Sequence, residues 1–197
     1  MTNRLSNLSR SLLALVAGCS ASAARPSMLA DPPGYTLQRT GDVHDFDFLA
    51  GAWTVQNRRL LGRGVASTEW EEFPATTCAT VYLGGVANID ELVFPTKGWA
   101  GVSFHTFDRA KRQWSIYWVN SRSGTMFPPV LGGFDGKIGE FYGVDEDGGR
   151  PVKVRFRWTK DGPDHALWEQ AFSFDGKTWE VNWKNELTRA APGSCAH

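Results

Sequence analysis

From about residue 50 to residue 188, apolar and polar residues alternate in short runs, and Gly, Pro, Asp or Asn separates one run from the next. This pattern is typical of antiparallel β-strands joined by tight turns. No stretch keeps helical periodicity for more than about two turns. The predicted strands span residues 52–60, 65–73, 77–83, 87–94, 100–107, 113–120, 128–134, 137–143, 151–159, 166–174 and 178–188.

The predicted fold class is all-β, with an antiparallel up-and-down meander of about ten strands. Such a meander either splits into two packed sheets or closes into a barrel. Each connection carries turn residues, for example LGRG at 61–64, FPAT at 73–76 and FDGKT at 174–178. We predict a barrel, because closure removes the exposed edges of the sheet.

The faces of several predicted strands follow from alternation, because residues two apart share one side of a strand. In the last strand the even-numbered residues from Glu180 to Thr188 are all polar, so the odd-numbered residues from Trp179 to Arg189 are predicted to face inward. The same reasoning carries Val55, Asn57 and Arg59 inward with Trp53. A further face holds Trp114, Ile116, Trp118 and Asn120.

Length and charge narrow the class of protein. A chain of 197 residues with 42% hydrophobic and 13% aromatic residues suits one well-buried domain. Lys plus Arg and Asp plus Glu number 21 each, and the charges are scattered along the chain. This balance argues against nucleic acid or an anionic membrane surface as a partner. The sequence makes no prediction about oligomeric state.

The N-terminal residues 1–24 are predicted to be a signal peptide. Arg4 and Arg10 precede the apolar run SLLALVAGC at 11–19, which is shorter than the ~20 residues needed to span a bilayer. Two processing routes remain open: cleavage near ASAA at 21–24, or lipid attachment at Cys19, where VAGC resembles the bacterial lipoprotein box. Either route predicts an exported protein, periplasmic or anchored to the outer membrane by a lipid as its one membrane contact.

The remaining organisation is simple. Residues 25–43 are rich in Pro, Gly and small polar residues and are predicted to form a flexible tether. Residues 44–190 form the barrel domain, and 191–197 form a C-terminal tail. In an oxidising compartment Cys78 and Cys195 could form a disulfide, and two separate thiols are the alternative. The four histidines are isolated from one another, so no metal site is predicted.

A family resemblance follows from the two ends of the predicted barrel. A lead-in, then Gly-x-Trp at 51–53, then a meander ending in Arg189, resembles the calycin superfamily, which includes lipocalins, fatty-acid-binding proteins and nitrobindin-like barrels. In that superfamily the tryptophan closes one end of the barrel and the terminal arginine packs across its indole. The resemblance implies these roles for Trp53 and Arg189, with Arg58 as the alternative stacking partner; such a contact contributes ~0.5 to 2 kcal/mol.

More narrowly, the chain resembles an uncharacterised bacterial family of calycin-like proteins, a domain-of-unknown-function family. The segments that carry the resemblance are DFDFLAGAW, WEEF, WSIYW, FRW and WEQAF. Together they cover most of residues 44–189. The resemblance implies a fold and no biochemical role.

The inward faces predict a ligand-binding cavity with an aromatic wall. A lining of indoles, a few amides and one arginine suits a mostly apolar, ring-containing small molecule with one or two oxygens. The alternative is that these side chains fill the core; nine tryptophans favour the cavity. The predicted ligand-binding residues are Asn57, Arg59, Trp118, Asn120, Trp168, Gln170, Trp183 and Asn185.

Two alternatives to a binding protein stay open. An isomerase or lyase would need a proton-transfer group, for which the candidates are His105 and the pair His44 and Asp45 just before the barrel. The nitrobindin-like resemblance implies a haem-binding alternative, in which His105 or His165 would be the proximal ligand. His165 follows DGPD at a turn, which is poor placement for an axial ligand, and a lone histidine such as His105 is more often a hydrogen-bonded structural residue, so we expect no cofactor.

Overall fold

The computed structural model describes residues 29–191 and 193–195. Two short 3-10 helices, Asp47–Leu49 and Leu83–Gly85, accompany ten β-strands. The strands are β1 Gly51–Leu60, β2 Trp70–Tyr82, β3 Ala87–Phe94, β4 Trp99–Asp108, β5 Gln113–Asn120, β6 Val130–Asp135, β7 Ile138–Asp147, β8 Arg150–Lys160, β9 His165–Ser173 and β10 Glu180–Arg189. Among the described residues, no helix is long and apolar enough to cross a membrane.

The ten strands form one closed antiparallel barrel in which each strand pairs with its neighbours in the sequence and β1 pairs with β10. The closing pair runs from Trp53 opposite Arg189 to Arg59 opposite Trp183. The predicted fold class, an all-β antiparallel meander that closes into a barrel, is confirmed, and the two-sheet alternative is wrong. The architecture is compatible with a calycin-like fold.

The predicted turn at 73–76 is wrong, because β2 continues through it. Pro74 pairs with Gln56 of β1, whereas pairing between β2 and β3 begins only at Thr76. At Pro74 the strand therefore has a partner on one side only, which is where a sheet tolerates the missing N–H of proline. The predicted strands 65–73 and 77–83 are one strand.

A β-bulge in β10 corrects the predicted inward face. The register between β10 and β9 shifts between Val181 and Trp183, so alternation reverses at Asn182. Asn182 is fully buried although an outward position is predicted for it. Trp179, predicted inward, lies outside the barrel, where its indole packs against the Arg155 guanidinium 5.1 Å away. The prediction is correct from Trp183 onward.

Trp53 closes the end of the barrel at which β1 begins. Its side chain is 1% exposed, and its indole N–H donates to the Leu49 carbonyl at 2.8 Å. The guanidinium carbon of Arg189 lies 3.8 Å from the indole centroid. Arg58, the alternative partner, packs instead over Trp70 at 5.5 Å. The stacking contact thus joins the first strand to the last.

The Arg189 guanidinium also fastens the segment before β1. It donates to the carbonyls of Phe48 and Ala50, and from the other side to the carbonyl of Pro163 in the connection between β8 and β9. Two segments therefore meet at one cation, the lead-in to β1 and the connection between β8 and β9. The guanidinium supplies the donors for all three carbonyls.

The described part of the predicted tether lies along the outside of the barrel. Tyr35 packs edge-on against Tyr142 with ring centroids 5.5 Å apart, and Asp31 pairs with Lys153 at 2.8 Å. The Gln113 amide donates to the Leu37 carbonyl at 2.8 Å. Residues 25–28 of this segment, the predicted signal peptide and the candidate lipidation site Cys19 lie outside the described residues.

A disulfide joins Cys78 in β2 to Cys195 in the tail, 117 residues apart. The bond ties the C-terminal residues to the middle of the barrel wall. Cross-linking across so long a loop restricts the unfolded chain and thereby stabilises the fold.

We expect Trp53→Ala to lower the free energy of unfolding by about 3–5 kcal/mol, because the indole leaves a cavity at a fully packed position. For a domain of this size the melting temperature should fall by roughly 10 °C. Trp70→Ala is the matched control, since it removes a half-buried indole that also lies under an arginine. Equal melting temperatures for the two variants would contradict the role of Trp53 in closing the barrel.

Candidate ligand-binding site

Within the described residues, two neighbouring cavities lie inside the barrel. The inner cavity, of about 80 Å³, lies beneath Leu49 and Val55 near the Trp53 end. The outer cavity, of about 200 Å³, lies at the opposite end and is lined by Arg59, Arg63 and Asp147 among others. The residues that line both cavities are Ile116, Trp118, Phe156, Gln170 and Trp183. The two cavities therefore adjoin each other between the open end of the barrel and its centre.

The inner cavity has an aromatic wall. The Phe156 and Trp168 rings pack edge-on at 5.0 Å between centroids, and Trp168 and Trp183 do so at 5.8 Å. The position of Trp118 depends on Gly101 in the neighbouring strand, because a Cβ there would lie 2.2 Å from the indole. The four indoles of the inner cavity belong to Trp118, Trp158, Trp168 and Trp183.

The structure brings most of the predicted ligand-binding residues together. The inner cavity is lined by Trp118, Trp168, Gln170, Trp183 and Asn185, and Arg59 and Asn120 line the outer one. Asn57 is directed inward, as predicted, since it shares a face of β1 with Val55 and Arg59, but it lines neither cavity. It is 0% exposed and accepts the Trp183 indole N–H at 3.0 Å. Asn57 therefore orients a residue that lines both cavities.

Arg59 sits at the border between the two cavities. Its guanidinium carbon lies 4.8 Å from the Trp183 ring centroid. Burial, followed by the positive charge of Arg63, lowers its pKa. Across the part of the chain that is described, Arg59 makes no ion pair, because the nearby Glu71 pairs with Lys97 and Asp147 pairs with Arg63.

A polar cluster that the sequence does not predict lies on one side of the inner cavity. Asp90 on β3 and Ser103 on β4 are opposite each other in the sheet, and the Ser103 hydroxyl donates to the Asp90 carboxyl at 3.3 Å. His105, two residues further along β4, has its Nε2 atom 3.8 Å from the same carboxyl. Thr77 of β2 completes the cluster. Asp90 and His105 are 7% and 1% exposed.

Burial sets the ionisation of this cluster. Burial raises the pKa of Asp90 to about 7, although the Ser103 and Thr77 hydroxyls act in the opposite direction. Burial also lowers the pKa of His105 to about 3, and its ring stacks on Phe46 at 4.4 Å between centroids. Because a desolvated charge without a partner is unfavourable, His105 stays neutral at pH 7 while Asp90 titrates there.

Several lining residues carry polar atoms with no hydrogen-bond partner among the described residues. Besides the Thr77 hydroxyl beside Asp90, they are Nδ1 of His105, Nε1–H of Trp158 and Oδ1 of Asn185. A buried polar atom without a partner costs about 1–3 kcal/mol, so a core selected only for packing would avoid them. Each of these atoms belongs to a residue that lines the inner cavity.

The other predicted catalytic candidates lie away from the cavity. His44 pairs with Asp47 at 2.9 Å on the surface, and its side chain is 65% exposed. Asp45 pairs with Lys160 at 3.6 Å. Both belong to the segment before β1, which covers the closed end of the barrel and not the open one. His165 bonds Asp161 and Glu186 outside the barrel. Of the candidates, His105 alone lines the cavity.

The surroundings of His105 do not fit a proximal haem ligand. Phe46 covers one face of its ring, and Nε2 is directed toward Asp90. The inner cavity of about 80 Å³ is also far smaller than a porphyrin. Within the described residues there is no group of three or more His, Cys, Asp or Glu side chains placed to hold a metal ion.

No protein-family model matches this sequence, and no curated protein matches it either. The functional proposal below therefore rests on the geometry and chemistry of the cavity.

The pKa of Asp90 makes a specific prediction about stability. In the unfolded chain this carboxyl ionises near its ordinary value of 3.8, and in the folded protein it ionises at about 7. Between these values the unfolded state has released the proton that the folded state keeps, so stability falls as the pH rises and the loss is complete above about pH 7. Asp90→Asn removes this loss.

Relative to the unmodified protein, the free energy of unfolding of Asp90→Asn should therefore rise by roughly 4 kcal/mol between pH 4 and pH 8. Urea denaturation at a series of pH values measures it. Asp108→Asn is the control with the opposite sign, because backbone hydrogen bonds, from Lys111 first, lower the pKa of that exposed carboxyl. A flat difference for Asp90→Asn would show that Asp90 is ionised or solvated in the folded protein.

Proposed function

We propose that this protein is an exported, calycin-like binding protein that holds a small hydrophobic molecule, most simply one with an aromatic ring, inside its barrel. The single observation that carries the proposal is the aromatic-walled interior, which is open at the end opposite Trp53. Ligand sites are commonly apolar clefts with a few placed polar groups, and this interior has both.

The unpaired polar atoms favour a ligand over a filled core. Asn185, Trp158 and His105 line the inner cavity, and each carries a buried polar atom without a partner among the described residues. In a core that serves packing alone, such atoms would be paired or replaced by apolar groups. A ligand that bonds these atoms offsets the cost of burying them. The proposal therefore accounts for both the space and its chemistry.

The Cys78–Cys195 disulfide supports export, because disulfides persist in oxidising compartments and are rare in the cytosol. The predicted signal peptide agrees with this. Lipid attachment at Cys19 would then place the barrel at the surface of a membrane, beyond the packed segment that begins near Asp31.

Catalysis is the second candidate function, and one observation favours it. Asp90 is a cavity carboxyl whose pKa lies at about 7, where a general acid or base is most effective. Isomerase or lyase chemistry on the bound molecule would use this group to move a proton. Incubating the protein with a bound ligand and following the mass and isomer composition of that ligand separates an enzyme from a binding protein.

The binding function is tested with N-phenyl-1-naphthylamine, a neutral aromatic probe whose fluorescence rises in apolar surroundings. We expect saturable binding, with energy transfer from the lining tryptophans to the probe. Trp183→Ala should weaken binding about tenfold or more, because an aromatic ring that lines both cavities is lost. Native mass spectrometry of the freshly purified protein then shows whether a ligand copurifies.

Trp179→Ala is the matched control, since this indole packs outside the barrel near Pro33. It should leave the affinity for the probe unchanged. If the two variants bind the probe equally well, or if binding does not saturate, the interior is not the site and the proposal fails.

A further inference from the structure

The charge of the inner cavity is set by one residue. Of the side chains that line it, Asp90 is the only one that can carry a full charge at neutral pH, since His105 is neutral there. No lysine or arginine is among the described residues that line it. The cations Arg59 and Arg63 line the outer cavity, where Arg59 stacks on Trp183. The inner cavity therefore favours a cation and disfavours an anion.

Among the described residues, Asp90 has no cationic partner. Its polar neighbours are a hydroxyl on each side, Ser103 and Thr77, and the neutral His105 ring. Burying an ionised carboxyl in this way is unfavourable unless an opposite charge comes close. Since nothing in the packing requires an acid at this position, a partner that arrives with the ligand is the simplest reason for it.

The other groups of the cavity suit the same kind of ligand. Four indoles line it, and indole rings attract organic cations through their π-electrons. The unpaired Oδ1 of Asn185 is a hydrogen-bond acceptor. An alkylammonium group is a donor only, so acceptor oxygens and aromatic rings together are complementary to it.

We propose that the cavity is a binding site for an organic amine, whose ammonium group pairs with the Asp90 carboxylate while its apolar body packs against Trp118 and Trp183. The inner cavity of about 80 Å³ accommodates an aminoalkyl group, and the body extends into the outer cavity of about 200 Å³. This inference rests on the proposed binding function and names the class of its ligand.

Three probes of one size test it by isothermal titration calorimetry: 2-phenylethylamine, the neutral 2-phenylethanol and the anionic phenylacetate. At pH 8 we expect the amine to bind about tenfold or more tightly than the alcohol, and phenylacetate to bind least. Asp90→Asn should weaken amine binding about tenfold and leave binding of the alcohol within about threefold.

Asp108→Asn is the matched control, because this acid is exposed at the end of β4, lines neither cavity and should not change the preference for the amine. The amine affinity of the unmodified protein should also rise between pH 6 and pH 8 as Asp90 ionises. The groups that face Asp90 do not titrate in this range: Ser103 and His105 from β4, and Thr77 from β2. The Asn variant should show no such rise.

Each result is decisive. Equal affinity for the amine and the alcohol, in both the unmodified protein and Asp90→Asn, overturns the inference while the binding function stands. A preference for phenylacetate overturns it as well and assigns the ligand charge to Arg59. If none of the three binds but N-phenyl-1-naphthylamine still binds in a Trp183-dependent manner, the amine proposal alone is wrong. Loss of binding of that probe too refutes the binding function itself.

Discussion

The pairing of β1 with β10 is the contact on which the rest of the structure depends. It turns a ten-strand sheet into a closed surface, and only a closed surface has an interior that four indoles and a carboxyl can share. Trp53 and Arg189 stand opposite each other in that pairing, and their stacking occurs at the same place as the backbone hydrogen bonds. Because the arginine also bonds carbonyls of two connections, one residue closes both the sheet and the end of the barrel.

The polar groups of the inner cavity lower the stability of the fold. An apolar core would be more stable than one that holds Asp90, whose raised pKa shows how poorly its charge is solvated. The unpaired polar atoms of Trp158 and Asn185 also cost stability. Other features offset this cost: the closed hydrogen-bond ladder, the disulfide across 117 residues and the segment packed along the outer face. Because these contacts of the barrel wall stabilise the fold, the interior can hold polar groups that lower its stability. Such a trade-off between stability and a functional interior is common at binding sites.

The alternation of apolar and polar residues predicts the strands and the face that each strand turns inward. The closed barrel and most of its aromatic wall follow from these two predictions. Alternation fails where one residue changes the count: the bulge at Asn182 moves Trp179 outside, and nothing in the residue types marks that bulge in advance. Asp90 is missed for another reason. Apolar residues occupy both faces of ANIDELVF, so the inward face of β3 is ambiguous. In the sequence, Pro74 predicts a turn. Strand β2 nevertheless accommodates this proline, because pairing with β3 begins only at Thr76. Where a neighbouring strand ends is a property of the sheet and cannot be predicted from the residues around Pro74.

The two ends of the barrel differ in a way that determines how a ligand can reach Asp90. At the Trp53 end, the connections 136–137 and 161–164 are short, and the segment before β1 lies across the opening. The two long connections, 61–69 and 121–129, both lie at the other end, beside the outer cavity. Long loops are the segments of a barrel that can move without disturbing its strands. Under the proposed binding function, a ligand would therefore enter past Arg59 and Trp183, and its leading group would be the one that reaches the carboxyl. The direction of entry would then set the order of groups along the ligand.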